Sequence, residues 1–225
     1  SFADYMDAVL YAPGLGYYSA GAQKFGAAGD FVTAPELGRV FARCLARLAR
    51  TALRQLGGGV ILEVGGGSGA LAAELLLALR DSPPERYLLL DVSGDLRERQ
   101  RQAIAARVPE LLPRVAWLDA LPAATWQGVL LANEVLDALP VERFRIDAHQ
   151  PAQLGVQVVD GRLGWAARPA PASLAAALRN LESRLGEPLA EGYTSEIGLR
   201  HAQWLRALLA SLGRGLALCI DYGGT

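Results

Sequence analysis

The segment Glu63-Val64-Gly65-Gly66-Gly67-Ser68-Gly69 lies between a short apolar run and a stretch typical of a helix, and its residue types predict a ligand-binding loop. Glycines let the backbone turn sharply and let a ligand approach where a Cβ atom would clash. Amide groups at the start of the following helix would point at that ligand. Gly65, Gly67 and Ala70 also satisfy the G-x-G-x-x-G/A pattern of dinucleotide-binding proteins. The loop alone therefore leaves the ligand open, and a purely structural tight turn is a third interpretation.

Three acidic residues at the ends of successive predicted strands distinguish between these ligands. Glu63 would repel a pyrophosphate, but it suits the α-amino group of S-adenosyl-L-methionine. Asp91 ends the second strand, where a carboxylate can accept both ribose hydroxyls, and Asp119 follows the third, where it can accept from an adenine amino group. We expect Val92 and Ala120, their neighbours in sequence, to contact the cofactor as well. This order of residues favours S-adenosyl-L-methionine over a nicotinamide cofactor.

Polar residues also follow the fourth predicted strand. Asn133 and Glu134 directly terminate it, and Asp137 comes one helical turn later. We expect Asn133 to contact the cofactor, and Glu134 and Asp137 to serve the methyl acceptor. The structural alternative makes Asn133 a helix cap and the two acids first-turn residues that the helix dipole favours. This alternative is stronger for Asp137, because the other two residues end a buried strand.

The elements that must position these residues alternate along the chain. Apolar runs predict strands and intervening helices. The predicted strands are 60–64, 87–92, 115–118, 129–132 and 216–220, and the helices between them are 70–80 and 95–108. Thr33-Ala34-Pro35-Glu36 has the form of a capping box, so we expect an amphipathic helix over 36–56. Such alternation predicts an α/β fold, with a parallel sheet covered by helices on both faces.

Between about 140 and 170 the pattern changes to short strands, and Asp160-Gly161 is a strong two-residue hairpin turn. We therefore predict a small antiparallel insertion, followed by helices at 173–185 and 196–212. The domain boundaries that follow are an N-terminal helical segment, 1–56, and a core, 57–225, which carries the insertion.

Composition limits the partners and the compartment. The chain of 225 residues is 52% hydrophobic and 20% charged, enough to bury the core of one α/β domain. Its net charge of −1 gives no general attraction to nucleic acid, and no apolar run is long enough to cross a bilayer. We expect Cys44 and Cys219 to be buried thiols in a reducing compartment, and the sequence has no zinc-site spacing. These features predict a metal-free protein of the cytoplasm, or of the mitochondrial matrix in a eukaryote, that binds neither nucleic acid nor membrane.

Five motifs resemble the MidA-type methyltransferases, a family that includes the mitochondrial complex I assembly factor that methylates an arginine of a complex I subunit. The motifs are Gly14-Leu15-Gly16-Tyr17-Tyr18-Ser19, Gly29-Asp30-Phe31-Val32-Thr33-Ala34-Pro35-Glu36, Glu63 to Gly69, Asn133-Glu134-Val135-Leu136-Asp137-Ala138-Leu139-Pro140 and Ile220-Asp221-Tyr222-Gly223. The resemblance implies a Rossmann-like methyltransferase whose N-terminal segment forms a lid over the cofactor, with Thr33 and Glu36 near it. It also implies closing β-strands and a substrate-side region beyond the Asp-Tyr-Gly motif, outside these 225 residues.

The resemblance further implies that the acceptor is an arginine of a partner protein. Methyl transfer from a sulfonium is an in-line displacement, so positioning the nucleophile contributes much of the catalysis. Carboxylates can hold a guanidinium, orient its lone pair and accept its proton. We predict Glu134 in this role, with Asp137, Asp221 and Glu196 as supporting acids. For Glu196, an acid at a helix N-terminus is an equal alternative.

Two other functions stay open at this point. A non-catalytic assembly factor could keep the cofactor-binding fold, because partner binding and catalysis leave similar motifs. A nicotinamide-dependent oxidoreductase is less favoured, since a pyrophosphate would lie beside Glu63 and no catalytic acid for hydride chemistry is recognisable.

Overall fold

A computed structural model describes residues 1–18, 39–91 and 94–222. These residues form two compact units, and each unit contains its own sheet. One unit consists of residues 1–18 and 138–205, and the other of residues 39–91, 94–137 and 206–222. The predicted combination of a parallel α/β sheet and an antiparallel insertion is confirmed.

The second unit contains a parallel sheet of five strands in the order β3-β2-β1-β4-β9. The strands are β1 (Val60–Val64), β2 (Arg86–Leu90), β3 (Val115–Leu118), β4 (Trp126–Asn133) and β9 (Leu212–Ile220). Every neighbouring pair is parallel. From β1 the chain adds β2 and β3 on one side of the sheet, and then β4 and β9 on the other, so the strand order switches between β1 and β4. Open α/β sheets bind ligands beyond the carboxyl ends of the strands at such a switch point.

The described residues also form α-helices and one 3-10 helix. They are α1 (Phe2–Tyr11), α2 (Arg39–Leu56), α3 (Ala70–Ala78), α4 (Gly94–Arg107), the 3-10 helix Pro109–Arg114, α5 (Ala172–Leu185) and α6 (His201–Leu209). None of these helices combines the length and the apolarity needed to span a membrane.

Helix α2 packs through one face that is rich in alanine. The buried side chains are Ala42, Leu45, Ala46, Ala49 and Leu53, whereas Val40 and Leu48 are exposed. This face belongs to the hydrophobic core that also contains residues of α3 and the sheet. The predicted amphipathic helix is therefore confirmed from Arg39 onward, and the predicted residues 36–38 lie outside the described part of the chain.

The first unit contains an antiparallel sheet in the order β7-β6-β5-β8. Its strands are β5 (Glu142–Asp147), β6 (Gln150–Val159), β7 (Arg162–Pro169) and β8 (Thr194–Ile197). Asp160 and Gly161 have φ angles of 51° and 73°, as a type I′ hairpin turn requires, so the hairpin predicted there is confirmed. Phe144 and Ile146 of β5 pack against Leu174 and Leu178 of α5 and form this unit's own core.

The helix predicted over 196–212 is wrong at its start. Thr194–Ile197 forms β8, in which Glu196 pairs with Arg143 of β5, and the helix begins only at His201. Glu196 is therefore a strand residue of the antiparallel unit, not an acid in the first turn of a helix. Thr194–Ile197 lacks the apolar run by which β3, a strand of the same length, was recognised, and it forms a strand here because β5 offers an open edge.

The expectation of buried thiols is also wrong, since Cys44 and Cys219 are both exposed. On α2 the buried face is the alanine face, and Cys44 lies beside it. On β9, Leu216, Leu218 and Ile220 pack against the core, so Cys219 points to the opposite face of the strand. Apolar neighbours in sequence did not indicate which face of these elements would be covered.

Candidate active site

The glycine loop after β1 has a backbone shape that other residues rarely adopt. The φ angles of Gly65, Gly67 and Gly69 are 69°, 51° and 84°. A Cβ atom on Gly69 would lie 2.6 Å from the Cα of Gln100 in α4, and one on Gly65 would lie 3.0 Å from the Cγ2 of Val135. The loop is thus packed closely against α4 and against the segment after β4, at the switch point of the sheet.

Glu63 lies beneath this loop and is 2% exposed. The hydroxyl of Tyr87 on β2 donates a 2.6 Å hydrogen bond to its Oε2 atom. The pKa of Glu63 is raised to about 7, chiefly because burial removes water from the carboxylate. The hydrogen bond from Tyr87 lowers the pKa and the charge of Asp91 raises it, but both effects are smaller than that of burial. A buried carboxyl group in this state gains stability when a cation comes close to it.

We expect the substitution Glu63→Gln to stabilise the ligand-free protein increasingly as the pH rises from 4.5 to about 7, and in full above pH 7. Folding raises the pKa of this carboxyl from 4.5 to about 7, so unfolding releases a proton in that interval and stability falls as the pH rises through it. Above pH 7 the buried charge costs about 3 kcal/mol, which the neutral amide avoids.

Urea denaturation at pH 4 and pH 8 checks this expectation. The variant should match the wild-type midpoint at pH 4, which is below the unfolded-state pKa of 4.5, and exceed it at pH 8. Glu85→Gln, at an exposed position of the same unit, is the matched control and should show the same small difference at both pH values. An equal gain for Glu63→Gln at both pH values would show that charge burial is not the cause.

Asp91 follows β2 and is 8% exposed. The side-chain amide of Gln100 donates to Asp91 Oδ2 at 3.0 Å and to the carbonyl oxygen of Gly67 at 3.1 Å. The glycine loop and Asp91, the acid that follows β2, are therefore joined through Gln100 of α4. Gln100 did not figure among the predicted site residues, although its spacing from the buried Leu96 and Ile104 places it on the apolar stripe of this helix.

Asp119 follows β3 and has a side chain that is 91% exposed. Arg97 donates to its Oδ1 atom at 2.7 Å, and the same guanidinium donates to the carbonyl oxygens of Asp91 and Leu118, both at 2.8 Å. One side chain of α4 thus holds the ends of β2 and β3 together. Ala120 lies next to Asp119 and is exposed. Sequence reasoning missed the role of Arg97 because its partners come from two different strands.

Glu134, directly after β4, has a φ angle of 52°, which is rare for a residue other than glycine. Its amide donates to the carbonyl oxygen of Ile220 at 2.8 Å, which extends the pairing of β4 with β9. Asn133 Nδ2 lies 3.4 Å from Glu134 Oε1, and within the described residues the buried Asn133 Oδ1 has no hydrogen-bond donor. Two polar side chains therefore meet at the carboxyl end of β4.

Asp221 follows β9 and contacts the segment after Glu134. Its Oδ2 atom accepts from the amides of Leu136 at 2.7 Å and Asp137 at 3.2 Å. These bonds hold the turn that carries Glu134, so the position of Asp221 suits an orienting role. Asp137 itself is exposed.

Tyr222 is a further residue of this region that sequence reasoning did not single out. The pKa of Tyr222 is raised, mainly by the negative charge of Glu134. Reduced hydration, hydrogen bonding to Glu134 and the charges of Asp137 and Asp221 raise it further. Tyr222 itself is 71% exposed. The signal available in the sequence was its place in the motif Ile220-Asp221-Tyr222-Gly223.

The parallel unit therefore contains most of the predicted site residues at the carboxyl ends of its strands. Thr33, Glu36 and Val92 lie outside the described residues, and Glu196 belongs to the antiparallel unit. Across residues 1–18, 39–91 and 94–222, no three His, Cys, Asp or Glu side chains are grouped closely enough to bind a metal ion.

Comparison with known proteins identifies relatives over nearly the whole chain. Residues 37–225 match a family described as "Putative S-adenosyl-L-methionine-dependent methyltransferase". "Protein arginine methyltransferase NDUFAF7, mitochondrial" of Danio rerio is 26% identical, over 99% of this chain and 58% of that protein. The Drosophila melanogaster protein named "Protein arginine methyltransferase NDUFAF7 homolog, mitochondrial" is 29% identical, over 64% of this chain and 38% of its own length. The chain thus spans less than two thirds of the length of these relatives.

Two crystal structures from Burkholderia thailandensis are much more similar. One, with bound S-adenosyl-homocysteine, has a TM-score of 0.90 and 44% sequence identity, over 99% of this chain and 58% of that chain. The other, a native structure, has a TM-score of 0.85 and 43% identity, over 99% of this chain and 56% of that chain. The predicted Rossmann-like fold and the predicted cofactor, S-adenosyl-L-methionine, are confirmed by these comparisons.

Proposed function

Because the chain belongs to this family of S-adenosyl-L-methionine-dependent methyltransferases, we propose that it methylates an arginine side chain of a partner protein. The observation that carries the proposal is the group of acids at the ends of β4 and β9. Glu134 is held at a φ angle of 52°, and Asp221 accepts from the amides of Leu136 and Asp137 in the same turn. Backbone strain of this kind costs about 1–3 kcal/mol and is found mainly at functional sites.

The residues of the parallel unit fit the cofactor. S-adenosyl-L-methionine supplies a methyl group on a positively charged sulfur. The loop from Gly65 to Gly69 has the left-handed backbone conformation at Gly65, Gly67 and Gly69 that the predicted ligand-binding turn requires, and the buried Glu63 favours a nearby ammonium group. In this proposal Asp91 accepts from the ribose hydroxyls, and Asp119, oriented by Arg97, accepts from the adenine amino group. Thr33, Val92, Ala120 and Asn133 complete the proposed contacts.

The acceptor side of the proposal rests on charge. A guanidinium binds carboxylates through paired, charge-assisted hydrogen bonds. In the proposed mechanism Glu134 holds the guanidinium and accepts its proton, Asp137 adds negative charge, and Asp221 keeps the turn in place through the amides of Leu136 and Asp137. Tyr222 lies close enough to Glu134 for the charge of that carboxylate to raise the pKa of the phenol, and in the proposed mechanism its hydroxyl can donate to Glu134.

The names of the Danio rerio and Drosophila melanogaster relatives support an arginine acceptor and a protein substrate. The MidA-type motifs lead us to propose a subunit of a respiratory complex as the partner. We propose the cytoplasm as the site of action in a bacterial cell, and the mitochondrial matrix in a eukaryotic one.

Radiolabelled methyl transfer tests this function. The purified protein is incubated with tritiated S-adenosyl-L-methionine and a lysate of the source organism in which its gene has been deleted. We expect a labelled protein band, and mass spectrometry of that band should find methylarginine. A protein that binds the cofactor but labels nothing would instead be an assembly factor without catalysis.

We expect S-adenosylhomocysteine to bind at least about tenfold more tightly than NAD. The reason is that Glu63, when ionised, repels a pyrophosphate placed over the glycine loop but attracts an ammonium group. Isothermal titration measures both affinities, and S-adenosylhomocysteine at 100 times its Kd should add about 2.7 kcal/mol to the free energy of unfolding. Tighter binding of NAD would contradict the placement of the cofactor against Glu63.

A further inference from the structure

Gln100 is a fully buried amide in the middle of α4, with an exposed fraction of 0%. Its Nε2 atom donates to Asp91 Oδ2 at 3.0 Å and to the carbonyl oxygen of Gly67 at 3.1 Å. Its Oε1 atom accepts from the indole nitrogen of Trp117 on β3 at 2.8 Å. One side chain therefore contacts the glycine loop, the acid after β2 and the strand β3.

The orientation of this amide is set by its partners. The indole N–H of Trp117 can only donate a hydrogen bond. The Gly67 carbonyl oxygen can only accept one, and so can the Asp91 carboxylate in its ionised form. The guanidinium of Arg101 lies over the Trp117 ring, 4.3 Å from its centroid, on the same helix as Gln100. The oxygen of the amide must therefore face β3, and both of its N–H groups must face the ligand-binding elements.

The chemistry of a carboxamide explains why this position is not apolar. Buried Leu96 and Ile104 lie one helical turn before and one after Gln100, so an apolar side chain would suit the surroundings of this position. It would, however, remove the hydrogen bonds that the amide makes with Gly67, Asp91 and Trp117, and the loss of a buried partner is costly. Only a residue with two donors on one nitrogen can bind the loop carbonyl and the carboxylate together. A glutamate would place a second negative charge beside Asp91.

We propose that Gln100 is a positioning residue that sets the selectivity of the site for the ribose hydroxyls of the cofactor. It holds the Asp91 carboxylate and the Gly67 peptide in one fixed arrangement. In this proposal the position of both groups determines how well the ribose hydroxyls are bound. The proposal rests on the assignment of Asp91 to the ribose made under the proposed function.

The test compares S-adenosylhomocysteine with its 2′-deoxy and 3′-deoxy analogues by isothermal titration. Gln100→Met keeps the length and volume of the side chain and removes the donors, while Gln100→Glu keeps the shape and adds a charge. Gln102→Met and Gln102→Glu are matched controls, because Gln102 is exposed on the same helix and its side-chain amide donates to Glu98. Asp91→Asn tests the underlying assignment.

The wild-type protein should prefer S-adenosylhomocysteine over the deoxy analogues by about tenfold, as loss of a charge-assisted hydrogen bond implies. Gln100→Met should lose most of this preference while the affinity for the deoxy analogues changes little, and Gln100→Glu should lose at least as much. Both Gln102 variants should keep it. Thermal unfolding shows whether each variant is folded. If Gln100→Met is not folded, the ligand preference of Gln100→Glu decides the test.

The outcomes separate the two assignments. If Gln100→Met weakens all three ligands equally, or keeps the preference while Asp91→Asn loses it, Gln100 has only a structural role and the proposal is overturned. If Asp91→Asn keeps the preference, Asp91 does not bind the ribose, and the assignment beneath the proposal is wrong.

Discussion

Gly67→Val should abolish the binding of S-adenosylhomocysteine and leave the protein folded. Gly67 has a φ angle of 51°, a conformation that a β-branched residue adopts only under strain. A valine would move the loop out of this shape and place a branched side chain in the path of the ligand. The peptide that accepts from Gln100 would shift as well. We expect a loss of affinity of at least about 100-fold.

The control for this substitution is Gly161→Val. Gly161 also has a positive φ angle, 73°, in the turn between β6 and β7, and a Cβ atom there would meet no other atom within 4 Å. It carries the same kind of backbone strain, so both variants should lose some thermal stability. Isothermal titration should show normal binding for Gly161→Val and none for Gly67→Val. Normal binding by Gly67→Val would mean that the loop is a structural turn only.

Glu134→Gln should keep the affinity for S-adenosyl-L-methionine within about twofold and lose most of the turnover. The substitution preserves the shape of the side chain and its contact with Asn133, but it removes the charge that holds a guanidinium and the group that accepts its proton. Removal of a general base lowers rates by about 10²–10⁴-fold. Titration of the cofactor and labelling of the partner protein measure the two effects separately.

Glu85→Gln serves as the control, because Glu85 is an exposed acid of the same unit that lies at the start of β2, away from the carboxyl ends of the strands. It should change neither affinity nor turnover. Two results would contradict the assignment of Glu134. One is a loss of cofactor affinity as large as that of Gly67→Val. The other is the detection of methylated lysine or glutamine, rather than arginine, in the partner.

The parallel unit was largely predictable from the sequence, because its elements have strong local signals. β1 was predicted at its observed bounds since Val60–Val64 is an apolar run between glycines, and β3 was predicted at its observed bounds as well. In a parallel sheet all carboxyl ends meet at one edge, so the order of Glu63, Asp91 and Asp119 along the chain already placed them together.

The antiparallel unit was predicted less completely. Asp160-Gly161 identifies its hairpin, because a type I′ turn requires particular residues. β8 carries no such signal. Thr194–Ile197 becomes a strand only through pairing with β5, which precedes it by about fifty residues in the chain. The exposure of Cys44 and Cys219 likewise depends on which face of α2 and β9 meets the core.

Residue types, spacing and motifs thus predicted the fold class and the cofactor correctly, and they placed the candidate cofactor residues at one edge of the sheet. The tertiary structure alone decided how the acids at that edge are held. Gln100 lies 33, 9 and 17 residues from its partners Gly67, Asp91 and Trp117. A buried polar group is stable only when its partners are in place, and no local pattern of sequence shows which distant residues the fold will bring to it.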